Sequence, residues 1–178
     1  MVPSAYVHIP FCDSICAYCD FVRIQKNESF FSSWKEKLIQ EIQEYKISSL
    51  HTLYFGGGTP SFLSVDDFAS IRNCFPTDIE EFTVECNPES LDEDKLNAYV
   101  ALGVNRISLG VQSFKDDLLK ICHRTHTASQ AISVIENIKK SSISTFSIDL
   151  IFGLPNQTME DVKKDIFTFL SLDIPHLS

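Results

Sequence analysis

The chain has 178 residues, 44% hydrophobic and 22% charged, an ordinary globular composition long enough for one filled core. Its formal net charge of −9 argues against a nucleic-acid partner, because such binders are basic. No apolar run approaches the roughly 20 residues of a transmembrane segment, and no secretory signal precedes the first apolar stretch, so reduced cysteines and a cytoplasmic location are expected.

Strand-like and helix-like segments alternate along the chain. Residues 5–9 read as a first strand, stopped by Pro10. Residues 30–45 form an amphipathic helix, with Trp34, Leu38, Ile39 and Ile42 at helical spacing. A strand over 52–55 precedes a glycine-rich turn, and Ser64 caps a helix over 65–73. A third strand spans 82–86, and a helix over 92–102 is closed by Gly103. The fourth strand is 106–109, followed by helices over 116–122 and 128–139. The fifth strand is 145–151, Thr158 caps a helix running to about Leu170, and residues 175–178 open a sixth strand. Alternation of this kind implies a parallel sheet with right-handed crossovers. The expectation is an α/β fold: a partial parallel (β/α) barrel of five to six βα units. It forms a single domain over residues 1–178, truncated at its C-terminal end, since a closed barrel takes about 250 residues.

Cys12, Cys16 and Cys19 fall within eight residues, just after the first strand. Loops at the C-terminal ends of parallel strands carry the sites of α/β enzymes. Fe–S clusters and structural zinc sites usually take four protein donors, so three clustered thiolates suggest a metal centre with one open position. Cys74, Cys86 and Cys122 are scattered in or beside apolar segments and read as structural. Three disulfides are not expected without a secretory context.

Polar residues recur at the other strand ends. Gly56-Gly57-Gly58-Thr59-Pro60 follows the second strand, and its bare backbone could approach the carboxylate or ammonium group of a ligand. It is neither a Walker motif nor a dinucleotide fingerprint. Glu85, Gln112 and Asp149 end successive strands and are expected to face one mouth. Arg124 could pair with a ligand carboxylate. His126 reads as structural, His51 and His123 as background, and His8 as a group supporting the cysteines from behind.

Together these residues resemble the radical S-adenosylmethionine (SAM) superfamily, whose signature is this cysteine spacing. The likeness narrows with Tyr6-Val7-His8-Ile9-Pro10-Phe11-Cys12, Gly56-Gly57-Gly58-Thr59-Pro60-Ser61, Glu85-Cys86-Asn87-Pro88, residues 105–114 and Asp149-Leu150-Ile151-Phe152-Gly153-Leu154-Pro155. These are similar to the oxygen-independent coproporphyrinogen III oxidase family, which includes HemW-type haem chaperones. The resemblance implies a [4Fe–4S] cluster on Cys12, Cys16 and Cys19, with SAM on the fourth iron. It implies that Tyr18 lies against the adenine and that Tyr6 contacts SAM. Gly57, Gly58 and Thr59 would meet the methionine end, and Glu85, Gln112, Arg124 and Asp149 would supply further SAM contacts.

Two departures stand out. In the oxidases a further cysteine follows the third with one residue between; here Phe21 stands there, and Cys19-Asp20-Phe21 resembles the haem-chaperone branch. That branch binds haem and passes it to acceptor proteins. His123 stands where a glycine commonly precedes the arginine, which puts the local loop geometry in question. The runner-up is an enzyme, the oxidase that decarboxylates coproporphyrinogen III to protoporphyrinogen IX. A zinc or simple electron-transfer module leaves the glycine run and the strand-end carboxylates unexplained.

Overall fold

The computed structural model of the chain describes residues 4–25 and 27–178. In chain order its elements are β1 (Ser4–Ile9), β2 (Phe11–Cys12), β3 (Ile24–Gln25), α1 (Glu28–Glu44), β4 (Thr52–Gly57), α2 (Val65–Arg72), β5 (Glu81–Cys86), α3 (Glu93–Ala101), β6 (Arg106–Gln112), α4 (Asp116–Ile121), α5 (Ala128–Lys140), β7 (Thr145–Leu150), α6 (Met159–Ser171) and β8 (His176–Leu177). Short 3₁₀ turns, Pro60–Phe62 and Pro88–Ser90, follow β4 and β5.

The helices begin where the sequence supplies a side-chain acceptor. Asn27, Ser64, Asp92, Thr127 and Thr158 each accept a hydrogen bond from an amide of the first turn, and Thr127 and Thr158 complete capping boxes with Gln130 and Asp161. Each such cap stabilises its helix by about 1 kcal/mol.

The main sheet runs β1-β4-β5-β6-β7-β8, with every pair parallel. Each new strand is added on the same side as the last. That is how a barrel wall is laid down; a doubly wound sheet reverses its strand order at a switch point. The partial parallel barrel expected from the sequence is the fold observed. Alternation along each strand divides the sheet into two faces. Val7, Ile9, Leu53, Phe55, Phe82, Val84, Ile107, Leu109 and Ile148 are buried in one continuous core. Phe68 anchors that core, with its ring 5.1 Å from Phe55 and 4.3 Å from Tyr99. Burying each such aromatic contributes roughly 2–3 kcal/mol. The alternate residues form the opposite face. There Glu85 pairs in register with Ser108, Ser108 with Ser147, and Gly110 with Asp149.

Most boundaries shift by a residue or two, and three differences from the sequence reading bear on the site. Gly56 and Gly57 belong to β4, which runs two residues past the expected strand end before the chain turns. β6 continues to Gln112, and its pairing with β7 shifts register between Gly110 and Gln112. At that irregularity Gln112 takes φ 68°, a left-handed conformation that costs a non-glycine residue of order 1–3 kcal/mol. Finally, Cys12 lies in a two-residue parallel ladder with β3, too short to register as a periodic pattern.

Candidate cofactor site

The cysteine loop leaves β1 at Pro10 and returns at β3. It is tied down on several sides. Ile24 donates its amide to the Pro10 carbonyl at 2.7 Å, and Ala17 donates to the Cys122 carbonyl at 3.2 Å. The Tyr18 ring packs on the small cluster formed by Leu118, Cys122 and Leu154. His8 Nε2 lies 2.8 Å from the Val22 carbonyl, which joins the far side of the loop to β1. All six cysteines are free thiols.

The loop faces a cavity of about 740 Å³ at the C-terminal ends of the strands. Cys12, Cys16, Cys19 and Tyr18 border it on one side. Gly57, Gly58, Thr59, Glu85, Gln112, Arg124 and Asp149 border the rest. Tyr6 does not border it. That residue is 57% exposed, stacks on Tyr54 at 5.7 Å, lies 3.3 Å from His8 Nδ1 and feels the nearby Glu85 charge, so it stands beside the cavity wall.

The glycine run serves the chain before it serves a ligand. A Cβ on Gly56 would lie 2.8 Å from the Tyr54 ring and 3.0 Å from the Glu85 carboxyl. One on Gly57, at φ +116°, would strike the His8 ring at 2.7 Å, and one on Gly58 would meet the Phe11 carbonyl at 2.7 Å and Cys12 Sγ at 3.0 Å. The amides are engaged too: Gly57 donates to Glu85 Oε2, Gly58 to the Ile9 carbonyl and Thr59 to the Phe11 carbonyl. These amides are therefore not free to receive the carboxylate that the sequence left open beside an ammonium group. With those N–H groups occupied, the turn offers carbonyl oxygens, which suit an ammonium group.

Glu85 is held at both oxygens, by the Tyr54 hydroxyl at 2.8 Å and the Gly57 amide at 3.0 Å. Burial, together with the nearby Glu85 charge, raises the Asp149 carboxyl above its ordinary range, while the Ser108 hydroxyl at 3.4 Å partly opposes the shift. Both groups are acceptors aimed at the cavity, suited to ligand hydroxyl or amine donors.

Arg124 enters from the connection between α4 and α5. Cys122 caps the C-terminal end of α4, and His123 turns the chain with φ 59°, the left-handed position that favours glycine. The left-handed turn is made here by a histidine, and Arg124 points inward with its side chain 4% exposed. Its guanidinium donates to the Gly110 carbonyl at 2.9 Å and to Cys16 Sγ at 3.6 Å, and lies 3.6 Å from Glu89 Oε2. Glu89 also meets His126 Nδ1 at 3.2 Å, and His126 Nε2 lies 3.1 Å from the Val111 carbonyl. Burial pushes Glu89 upward, but His126 and Arg124 outweigh it and hold the carboxyl below its ordinary range.

A metal cluster fits this donor set. The sulfurs are presented separately around the mouth, with Cys12 against the Thr59 hydroxyl at 3.5 Å and Cys16 against Arg124. Among the described residues no three His, Cys, Asp or Glu side chains converge as a site for one ion. In a cluster each thiolate takes its own iron, which suits donors that are spread. Arg23 Nε and Arg124 Nε, on residues that border the cavity, are buried without a hydrogen-bond partner in the chain, so donors remain for a ligand.

Sequence reasoning missed Tyr54 and Glu89. Tyr54 lies between the buried Leu53 and Phe55, so extending the strand's two-residue alternation assigns it to the polar face. Glu89 follows Pro88 in the first turn of a 3₁₀ helix, a short element without a periodic signal.

The sequence pattern of the Radical SAM superfamily matches residues 6–169. The heme chaperone HemW of Lactococcus lactis is 44% identical over 180 residues, covering 98% of this chain and 48% of that protein. The Bacillus subtilis HemW is 37% identical, covering 98% and 49%. The anaerobilin synthase of Escherichia coli O157:H7 is 34% identical, covering 90% and 39%. The chain thus spans about half the length of the HemW relatives it matches. Among solved structures, the coproporphyrinogen III oxidase HemN of Escherichia coli, described as a radical SAM enzyme, superposes with a TM-score of 0.89 at 27% identity, covering 99% of this chain and 43% of that one. Among the described residues no helix is long and apolar enough to cross a membrane. With the superfamily pattern running from β1 into α6, the chain belongs to the radical SAM superfamily.

Proposed function

We propose that this chain is the radical SAM core of a haem chaperone, which binds haem and transfers it to an acceptor protein in the cytoplasm. The observation that carries the cofactor reading is the convergence of Cys12, Cys16 and Cys19 with Glu85, Gln112, Arg124 and Asp149 on one cavity. Relatives named heme chaperone HemW, at 34–44% identity, support the haem reading. So does Phe21, which stands two places after Cys19 and is 70% exposed on the cavity rim.

In this reading Cys12, Cys16 and Cys19 bind three irons of a [4Fe–4S] cluster and SAM lies beside them. When bound, such a cluster supplies one electron to SAM. The chain's own residues bind and orient. The carbonyls of the Gly57–Gly58 turn receive the methionine ammonium group, with Thr59 beside them. Tyr18 flanks the adenine. Glu85, held by Tyr54 and the Gly57 amide, accepts from ligand hydroxyls in a fixed orientation, and Gln112 and Asp149 add further polar contacts. Tyr6 acts by supporting Tyr54.

Anaerobic haem titration of the full-length protein tests the proposal. Stoichiometric haem binding is expected, together with transfer to an apo-haem protein. Absence of haem binding combined with formation of protoporphyrinogen from coproporphyrinogen III would replace it with the oxidase reading.

A further inference from the structure

Arg124 is the one cation that the chain holds, through a buried network, against a sulfur of the cysteine triad among the described residues. It is anchored on two sides. Its guanidinium donates to the Gly110 carbonyl at 2.9 Å, and Glu89 supplies a countercharge at 3.6 Å. Glu89 is in turn braced by His126, whose other ring nitrogen rests on the Val111 carbonyl. Two consecutive carbonyls of β6 therefore anchor the network, and β6 is a central strand paired on both sides. A guanidinium pinned this way loses little freedom when it donates to a sulfur. It also remains close to the cluster whether or not a ligand occupies the cavity.

The second observation concerns charge. A buried cation is costly without an anion, and the pair is costly unless its remaining hydrogen-bonding positions are filled. Here the Gly110 carbonyl and Glu89 engage one terminal nitrogen, the other donates to Cys16 Sγ at 3.6 Å, and Nε is left without a partner in the chain. Hydrogen bonds and positive charge at a cluster's thiolates favour the state carrying one more electron, and so set its potential.

We infer that Arg124, positioned by Glu89 and His126, tunes the reduction potential of the cluster through Cys16, separately from any contact it makes with SAM. This rests on the cluster reading above. The roles of the two charges are opposed. Arg124 raises the potential, whereas Glu89, as an anion nearby, lowers it while keeping Arg124 in place.

The test is a potentiometric titration of the reconstituted full-length protein without SAM, followed by the electron paramagnetic resonance signal of the reduced cluster. Arg124→Gln is expected to make the potential more negative by about 59 mV, a tenfold loss in the one-electron reduction constant. Arg124→Lys, which keeps the charge and loses the fork, should recover part of that shift. Glu89→Gln, nearly isosteric, should shift the potential the opposite way. A structural role alone would not give shifts of opposite sign. Unmoved potentials in Arg124→Gln and Glu89→Gln, or shifts in the same direction, overturn the inference. A wild-type protein that takes up no iron overturns the cluster reading itself, a distinct failure.

Discussion

Glu85 and Cys86 are adjacent in β5, yet their side chains have different neighbours. Cys86 joins Phe82 and Val84 in the buried core, where burial pushes its thiol up to about 12, although the residue also borders the cavity at the strand end. Glu85 faces the cavity with both oxygens hydrogen-bonded. The cysteines divide the same way. Cys86, Cys122 and Cys74 are packing groups, the last directed at the Ser70 carbonyl. Cys12, Cys16 and Cys19 border the cavity together from one loop, and two of their sulfurs have a hydroxyl or guanidinium donor. Thiol chemistry follows neighbours and access, so the number of cysteines says less than where they face.

The largest test of this division exchanges the two sets. Cys16→Ser should abolish cluster assembly, read as loss of iron and of visible absorption, while Cys86→Ala should keep both. The reverse pattern would break the comparison. Next in size is the core: Phe82→Ala, at a fully enclosed ring, should cost about 3–5 kcal/mol in urea denaturation and leave cluster spectra unchanged once folded.

Glu89→Gln should cost about 2 kcal/mol at pH 7, because it removes a charge-assisted hydrogen bond in a mostly buried network. Glu89 is held below its ordinary range, so its stabilisation is fully present above an unfolded value of about 4.3. It is lost as pH falls through the lower folded value. The gap between wild type and variant should therefore close on acidification below about pH 4. A gap that widened would contradict the network.

On the polar face, Glu85→Gln should weaken SAM binding about tenfold, or 1.4 kcal/mol, with little effect on folding. Isothermal titration of the reconstituted protein reads this. The smallest effect is a gain. His123→Gly relieves a left-handed backbone and should stabilise the fold by about 1 kcal/mol, raising the urea midpoint.

The strands and most helices were legible because their periodicity and caps are strong. The triad was legible from spacing alone, and Glu85, Gln112, Arg124 and Asp149 from their places at or after strand ends. What stayed hidden depends on three-dimensional neighbours. The amides of Gly57, Gly58 and Thr59 are occupied by partners distant in sequence, which a glycine run does not announce. Glu89 comes beside Arg124 only when the turn after β5 packs against α5 and β6. Tyr6 alternates correctly onto the polar face, yet its place on the edge strand leaves it exposed, one ring away from the cavity.

The most direct measurement of the central claim is anaerobic reconstitution of the full-length protein, with electron paramagnetic resonance of the reduced state before and after SAM is added. The account predicts about four irons per chain and a spectrum that changes with SAM in the wild type. Iron bound with a spectrum indifferent to SAM, or a full iron complement retained in Cys16→Ser, would contradict it.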